Sequence, residues 1–353
     1  MITLTRHRLF WPVVVLVVLL LGNLLEKPDF FAIRIQDGHL YGSVIDILRF
    51  GAPLMLVALG MTLVIATGGI DLSVGSVVAI AGAVACLHIS KQPDQNAIGG
   101  VLIAVVMALG AALLFGAFNG IMVSRIGIQP IIATLILMVA GRGIAQLIMD
   151  GQIITINSTP YKWIGAGWLF TLPAAVLIAL AMIAVTALIM RRSALGLLLE
   201  SVGGNAEASR LVGIQSRSLV LLVYAICGLC AGLAGLMISS NVSSADGNNA
   251  GLLIELDAIL AVVIGGTALT GGRFSIGGTV IGALVIQTLS TTVYTLGVPP
   301  ETTLIFKAVV VTIVCLLQSP AFRRKVFGRW GPRRTPPASG SAPSEPTNVK
   351  VPA

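Results

Sequence analysis

Charged residues are scarce in this chain, and two of them stand inside apolar runs. Asp71 lies in Ala66-Thr67-Gly68-Gly69-Ile70-Asp71-Leu72-Ser73, between two aliphatic stretches. Paired glycines break a helix, and Asp71 or Ser73 can then accept the free N–H groups that open the next one. That reading is a capped helix break. Thr67, Gly68, Gly69, Asp71 and Ser73 also have the polarity to line a pathway, since irregular backbone at membrane depth survives only when buried or wet. The two readings are compatible. Arg142 stands in Ala140-Gly141-Arg142-Gly143. A guanidinium there needs a carboxylate such as Asp71, or it must snorkel about 10 Å toward a surface.

Covalent chemistry has little to work with. None of the six lysines follows a glycine, so the phosphate-cradling Gly-x-x-x-x-Gly-Lys-Ser/Thr pattern is missing from the sequence. The three histidines, His7, His39 and His88, are too scattered for an evident metal site. Cys227-x-x-Cys230 is a lone pair on an apolar helix, and buried cysteine behaves as a small hydrophobe. The expectation is therefore no catalytic centre, no metal, no bound cofactor and no ATPase site of the chain's own.

The elements that must hold these residues follow from composition. The chain has 353 residues, 56% hydrophobic and only 10% charged, with a mean hydropathy of +0.98. Soluble domains carry about 25% charged residues. Lipid must be the solvent, which excludes a soluble enzyme or a nucleic-acid-binding domain. Forty glycines suit closely packed transmembrane helices. The run from Trp11 to Leu25 follows Arg6 and Arg8 but lacks a small-x-small cleavage site, so it reads as a retained first helix. A span needs about 20 apolar residues. That ruler places nine more near 48–67, 72–90, 98–123, 130–149, 172–190, 218–238, 256–272, 275–297 and 303–319. The pairs flanking Gly68 and Gly272 could each be one broken helix. The fold class is thus all-α, polytopic, with about ten transmembrane helices.

An even count puts both termini on one side. Of the 22 basic residues, Lys27, Arg34, Arg49, Lys91, Arg142, Lys162 and Lys307 fall outside or within spans, which leaves fifteen inside. The excess of inner Lys and Arg makes both termini cytoplasmic. Gly265-Gly266-Thr267-Ala268-Leu269-Thr270-Gly271-Gly272-Arg273 resembles the break at Gly68, but both would face the same way, so they are not an inverted pair.

Three polar segments remain. Residues 191–217 form the longest inner loop. Within it Asn205 is placed to cap a short helix through Leu211, ended by Gly213. Such a helix either packs on a partner or lies on lipid. The outer loop 239–257 offers Asn248, Asn249, Glu255 and Asp257, for a docking partner, a polar solute or plain solvation. The tail 320–353 is basic, then rich in Pro and Ser, and is expected to stay disordered beside the inner leaflet.

Gly60–Ala83, GMTLVIATGGIDLSVGSVVAIAGA, resembles the signature of the ribose-type permeases of bacterial ATP-binding-cassette sugar importers. Glu200–Ile214, ESVGGNAEASRLVGI, resembles their cytoplasmic loop, and Glu255–Gln287 their C-terminal signature. The likeness runs from Asp37 to Ser319, and IQDGHLYGSVIDILRFGAP, PIIATLILMVAGRGIAQLIMDGQIITINS and ADGNNAGLLIELDAILAVVIGG are similar to stretches of galactofuranose permeases. The resemblance implies a permease domain over 48–319, preceded by an N-terminal helix and outer loop (1–47) and followed by the tail. It implies a multi-pass protein of the bacterial inner membrane, paired with a second permease subunit as a homo- or heterodimer. Its further partners would be a periplasmic sugar-binding protein and a cytoplasmic ATPase that uses ATP and Mg, with no nucleic acid. The sugar would cross by alternating access. In that setting Glu200, Gly203, Gly204, Asn205, Glu207, Arg210 and Gly213 make up the element that couples to the ATPase. Asp71, Arg142 and Asn119 are the side chains picked, on polarity alone, to meet the sugar. A stand-alone ion-coupled transporter, or an importer of another small polar solute, is the alternative.

Overall fold

The computed structural model describes residues 9–36, 38–295, 297, 299 and 302–318. Residues 1–315 form one compact unit, and 316–353 a second, of which only the end of the last helix is described. Arg6, Arg8 and the tail 320–353 lie outside the described residues.

The chain is mostly helical. Its helices are α1 (Phe10–Glu26), α2 (Ser43–Ala66), α3 (Val74–Ser90), α4 (Ile98–Ile121), α5 (Pro130–Ile148), α6 (Thr159–Ala166), α7 (Ala174–Arg192), α8 (Leu195–Gly204), α9 (Ala206–Leu211), α10 (Ser216–Val242), α11 (Ile254–Ile264), α12 (Ile276–Thr295) and α13 (Thr303–Gln318). Three antiparallel strand pairs cluster at one end: β1 (Arg34–Gln36) with β2 (His39–Tyr41), β3 (Ile154–Thr155) with β6 (Ser244–Ala245), and β4 (Trp168–Leu169) with β5 (Leu172–Pro173). The opposite end carries α8 and α9. These are called the strand end and the loop end below.

Packing follows membrane logic. On α4 the buried face is Ala104, Ala108, Ala112, Gly116 and Gly120, while Leu102, Val106, Leu114 and Phe118 stand exposed. Small residues inside let backbones approach, and large aliphatics outside suit lipid. A methyl group on Gly228 of α10 would strike the Ala112 carbonyl oxygen and sit 2.9 Å from the Gly116 Cα. Gly116-x-x-x-Gly120 and Gly228-x-x-x-Gly232 are therefore the α4–α10 seam. Central to the bundle is α2, buried nearly all round from Gly51 to Ala66, as a helix apolar on every face should be. Hydroxyl and amide pairs join the helices at depth: Thr62 of α2 bonds Thr279 of α12 (2.7 Å), and Asn23 of α1 donates to Thr292 (2.7 Å).

Among the described residues, six helices are each long and apolar enough to cross a membrane: α2, α4 with its π-helical extension to Ile126, α5, α7, α10 and α12. The other expected spans are shorter: α1 and α3 hold 17 residues each and α13 holds 16, and the run near 256–272 departs most. The run 256–272 is not a full crossing, because α11 holds only 11 residues, about 16 Å at helical rise. Glycine-rich irregular backbone takes over at Gly265, and the segment feeding α11 dips below the strand end. A second helix, α8, also stands in the 191–217 loop, ahead of the short one foreseen. The sequence shows it only as the apolar patch Leu197-Leu198-Leu199 between Arg192 and Gly203.

Candidate functional site

Three polar or glycine-rich centres break the apolar interior. The first is the α2–α3 connection. Gly68 takes the left-handed conformation (φ +81°), and the chain turns without finishing a helix. Asp71 Oδ1 accepts from the Ser73 amide (3.0 Å), the Ser73 hydroxyl (2.6 Å) and Asn119 Nδ2 (3.4 Å). Asn119 Nδ2 also donates to Ser73 Oγ (2.8 Å). The Cys227 thiol of α10 reaches the same carboxylate, and Tyr224 Oη lies 3.5 Å from the Ile70 carbonyl. The capping group is thus Asp71, through the Ser73 N–H, while the Ser73 side chain makes no cap bond. Asp71, Ser73 and Asn119 are each at most 1% exposed. The break therefore ties α3, α4 and α10 together, with its polar groups turned inward. Thr67 closes the preceding helix by donating to the Val64 carbonyl (2.8 Å).

The second centre is built on Arg142, which is half-buried and does not bond Asp71. Its Nη1 donates to the carbonyls of Ala250 (2.6 Å) and Gly247 (3.2 Å). Arg142 lies six residues before the strand end of α5, so the 243–253 segment descends about 9 Å into the bundle. Two backbone carbonyls at that depth need a donor, and the guanidinium supplies it. Gln146 Nε2, one turn above, donates to Asn248 Oδ1 (2.6 Å). The turn is fixed from within by Asp246, whose carboxylate accepts from the amides of Asn248 (2.8 Å) and Asn249 (3.1 Å) and from Asn249 Nδ2 (2.7 Å). Partial burial works to raise the Asp246 pKa. The bonds from Asn249 and Asn248 and the nearby Arg142 outweigh it and hold the group below its ordinary 3.8. Between α5 and this segment lies a recess of about 440 Å³, lined by Ser76, Met138, Val139, Arg142, Gly143, Gln146, Leu252, Leu253 and Glu255.

Of the four outer-loop residues proposed for docking, Asn248 and Asn249 are exposed. Glu255 is not available to a docking partner: it is 3% exposed and tucked against Gly75, where a side chain on α3 would strike its carboxylate. Asp257 is paired with Lys307 of α13 at 2.6 Å. Both carboxylates sit in the first turn of α11, where a helix N-terminus favours negative charge.

The third centre is at the loop end. Asn205 Oδ1 accepts from the Ala208 amide (2.9 Å) and opens α9, and Gly213 follows it at φ +88°. Glu207, Arg210, Leu211 and Val212 are exposed, the last two at 84% and 77%. Gly203, near the end of α8, abuts both breaks at once. A methyl group on it would overlap the Ala66 carbonyl oxygen and come within 2.5 Å of the Gly272 amide nitrogen. That amide donates to the same Ala66 carbonyl (2.9 Å). Gly204 is open, with nothing within 4 Å of such a methyl. Glu200 is half-buried one turn earlier on α8. The two glycine breaks therefore lie side by side at one end of the bundle. Sequence reading missed this junction, because no spacing rule connects Ala66, Gly203 and Gly272. It missed Gln146 and Ser76 as well, since neutral polar residues are common on membrane helices.

No solved structure matches the chain. A curated relative, the galactofuranose transporter permease protein of Escherichia coli (strain K12), is 48% identical over 333 residues, covering 92% of this chain and 95% of that one. The fructose import permease protein of Bifidobacterium longum (strain NCC 2705) is 41% identical over 323 residues, 90% of this chain and 89% of its own. The ribose import permease protein of Escherichia coli (strain K12) is 38% identical over 297 residues, 83% and 88%. The family model described as branched-chain amino acid transport system / permease component matches residues 43–315, from the start of α2 into α13, and the chain belongs to that family.

Proposed function

We propose that this chain is the membrane-spanning subunit of an ATP-binding-cassette importer that carries a monosaccharide into a bacterial cell. The observation that carries the reading is the loop-end junction. An exposed, capped helix, α9, is joined through α8 and Gly203 to the two places where the bundle is broken. A device of that shape turns a push on α9 into a bend at the breaks. The push has to come from a separate protein, an ATPase that burns ATP with Mg. Exposed Leu211 and Val212, with Glu207 and Arg210 beside them, offer it an apolar knob with a charged rim. The loop end is then cytoplasmic, with both termini, in the inner membrane. The strand end faces a sugar-binding protein, with Asn248 and Asn249 as docking contacts. A second permease subunit completes the gate.

Within this cycle the Asp71–Ser73–Asn119 node is a joint. It holds the broken segment to α4 and α10 in this conformation and is the polar set that rearranges when the halves rock. The cargo reading rests on the relatives, whose names specify galactofuranose, fructose and ribose. Galactofuranose is favoured by the 48% identity over nearly the whole chain. An amino acid, which the family description names, is not among the cargoes that these relatives' names specify.

The test is reconstitution in liposomes with the ATPase and binding protein. Galactofuranose should stimulate ATP hydrolysis and accumulate inside only when ATP is supplied, with ribose and fructose taken up more slowly. Accumulation by this chain alone, without nucleotide, would identify an ion-coupled transporter instead.

A further inference from the structure

We infer that the recess between α5 and the descending 243–253 segment is a water-filled part of the sugar passage, in which Gln146 and Glu255 meet sugar hydroxyls and Arg142 is the positioning residue. The inference deepens the importer reading and rests on it for the identity of the cargo. Three observations converge. First, the recess lies at the depth of Arg142, where irregular backbone is stable only if buried or bordering water. The 243–253 segment is irregular, and the recess runs along it.

Second, its volume of about 440 Å³ suits a small ligand, and its wall mixes apolar Met138 and Val139 with a few convergent polar groups. A neutral sugar needs acceptors and donors together. Glu255 provides carboxylate oxygens and Gln146 an amide oxygen. Arg142 bonds the carbonyls through Nη1 alone, so its Nε and Nη2 have no hydrogen-bond partner among the described residues. Third, Val139 is 69% exposed on α5 although it borders these polar groups, and Gly143 has nothing within 4 Å of the position a Cβ would take. A lipid-facing patch has no use for a glutamate and a glutamine at its base. A passage has.

The control is built into the molecule. Val106 on α4 is 68% exposed, almost the same as Val139, on a face of large aliphatic residues. Cysteine is placed singly at 139, 143 and 106 in the full chain, assembled with its ATPase. Of the four native cysteines, Cys86, Cys227 and Cys230 are buried and serve as a silent background, and Cys315 is replaced by serine in every variant. A membrane-impermeant, water-soluble maleimide is added at the strand-end face. Val139→Cys and Gly143→Cys should react at least tenfold faster than Val106→Cys, because thiolate forms in water and not in lipid. Equal, slow rates at all three would make the recess a lipid groove and end the inference. Gly143→Cys guards against misfolding at 139, since its side chain enters open space.

A second arm tests the sugar. Val139→Trp should cut uptake at least tenfold while the complex still assembles with its ATPase in unchanged yield. Fast labelling with undiminished uptake in Val139→Trp would leave a wet pocket off the path and overturn the sugar part. Failure of the unsubstituted complex to transport any sugar would instead overturn the importer reading, whatever the labelling rates.

Discussion

A single carboxylate at depth is worth most through the groups it keeps satisfied. Asp71 Oδ1 takes the Ser73 amide and hydroxyl and is approached by Asn119, all with almost no water contact. Asparagine at 71 would keep an acceptor in the same place. Leucine would leave the amide unsatisfied, at about 1–3 kcal/mol per buried group. Asp71→Leu should therefore abolish most uptake and lower the melting temperature by several degrees, whereas Asp71→Asn should keep at least half the uptake. Equal behaviour of the two in an uptake assay and a detergent melt would show that hydrogen bonding at 71 is irrelevant. Asp246 gives a pH prediction of definite sign. A carboxyl held below its ordinary 3.8 contributes stability at higher pH and loses it as pH falls through the depressed value. Maleimide labelling of Asn248→Cys should stay constant from neutral pH to about 4 and change only below it, once the reagent's own pH dependence is divided out. Asp71 and Arg142 were legible in the sequence because each interrupts an apolar run, whereas Asp246 sits in a polar loop and gave no such signal. The partners of Asp71 and Arg142 were not legible. Arg142 ends on carbonyls more than a hundred positions away, and hydropathy carries no trace of a carbonyl.

Elements were read well where length and hydropathy decide, and poorly where backbone meets backbone. Spans near 98–123, 130–149 and 218–238 reappear as α4, α5 and α10, and the Asn205 cap opens α9 as the residue order requires. The exception is α11. Its apolar run continues through Thr267-Ala268-Leu269, but the consecutive glycines at 265 and 266 and again at 271 and 272 end the helix at Ile264. Position alone could not show that these glycines also receive Gly203. The contact separates two neighbouring glycines that sequence treats alike. A methyl at 203 collides with the Ala66 carbonyl and the Gly272 amide, and a methyl at 204 meets nothing. Forced overpacking costs about 1–3 kcal/mol and displaces backbone. Gly203→Ala should hence reduce sugar-driven uptake at least tenfold while the complex still hydrolyses ATP, and Gly204→Ala should be nearly silent. Comparable uptake in the two variants would show that motion does not pass through this contact.

At the scale of the whole molecule, composition was sufficient to name the solvent and the class. Sparse charge, abundant glycine and long apolar runs leave few options besides a packed helical bundle in lipid. What composition cannot carry is the asymmetry between the two ends. The strand end is stitched by three short strand pairs and by the Arg142 and Gln146 bonds, whereas the loop end presents α9 with its apolar tip in the open. An isolated bundle gains nothing by exposing Leu211 and Val212, and the ATPase proposed above would cover them. Fully burying one such side chain stabilises an interface by about 1.5–3 kcal/mol, roughly 10- to 150-fold in affinity. Leu211→Ser should accordingly weaken co-purification of the ATPase at least tenfold. Arg210→Glu, a change at the rim, should act mainly on coupling and on salt dependence. Neither substitution touches the membrane-buried faces, so both chains should insert and melt like the unsubstituted protein. If Leu211→Ser kept full ATPase binding and uptake while Gly203→Ala lost uptake, the push would have to enter through α8 itself, and α9 would be a surface helix resting on lipid.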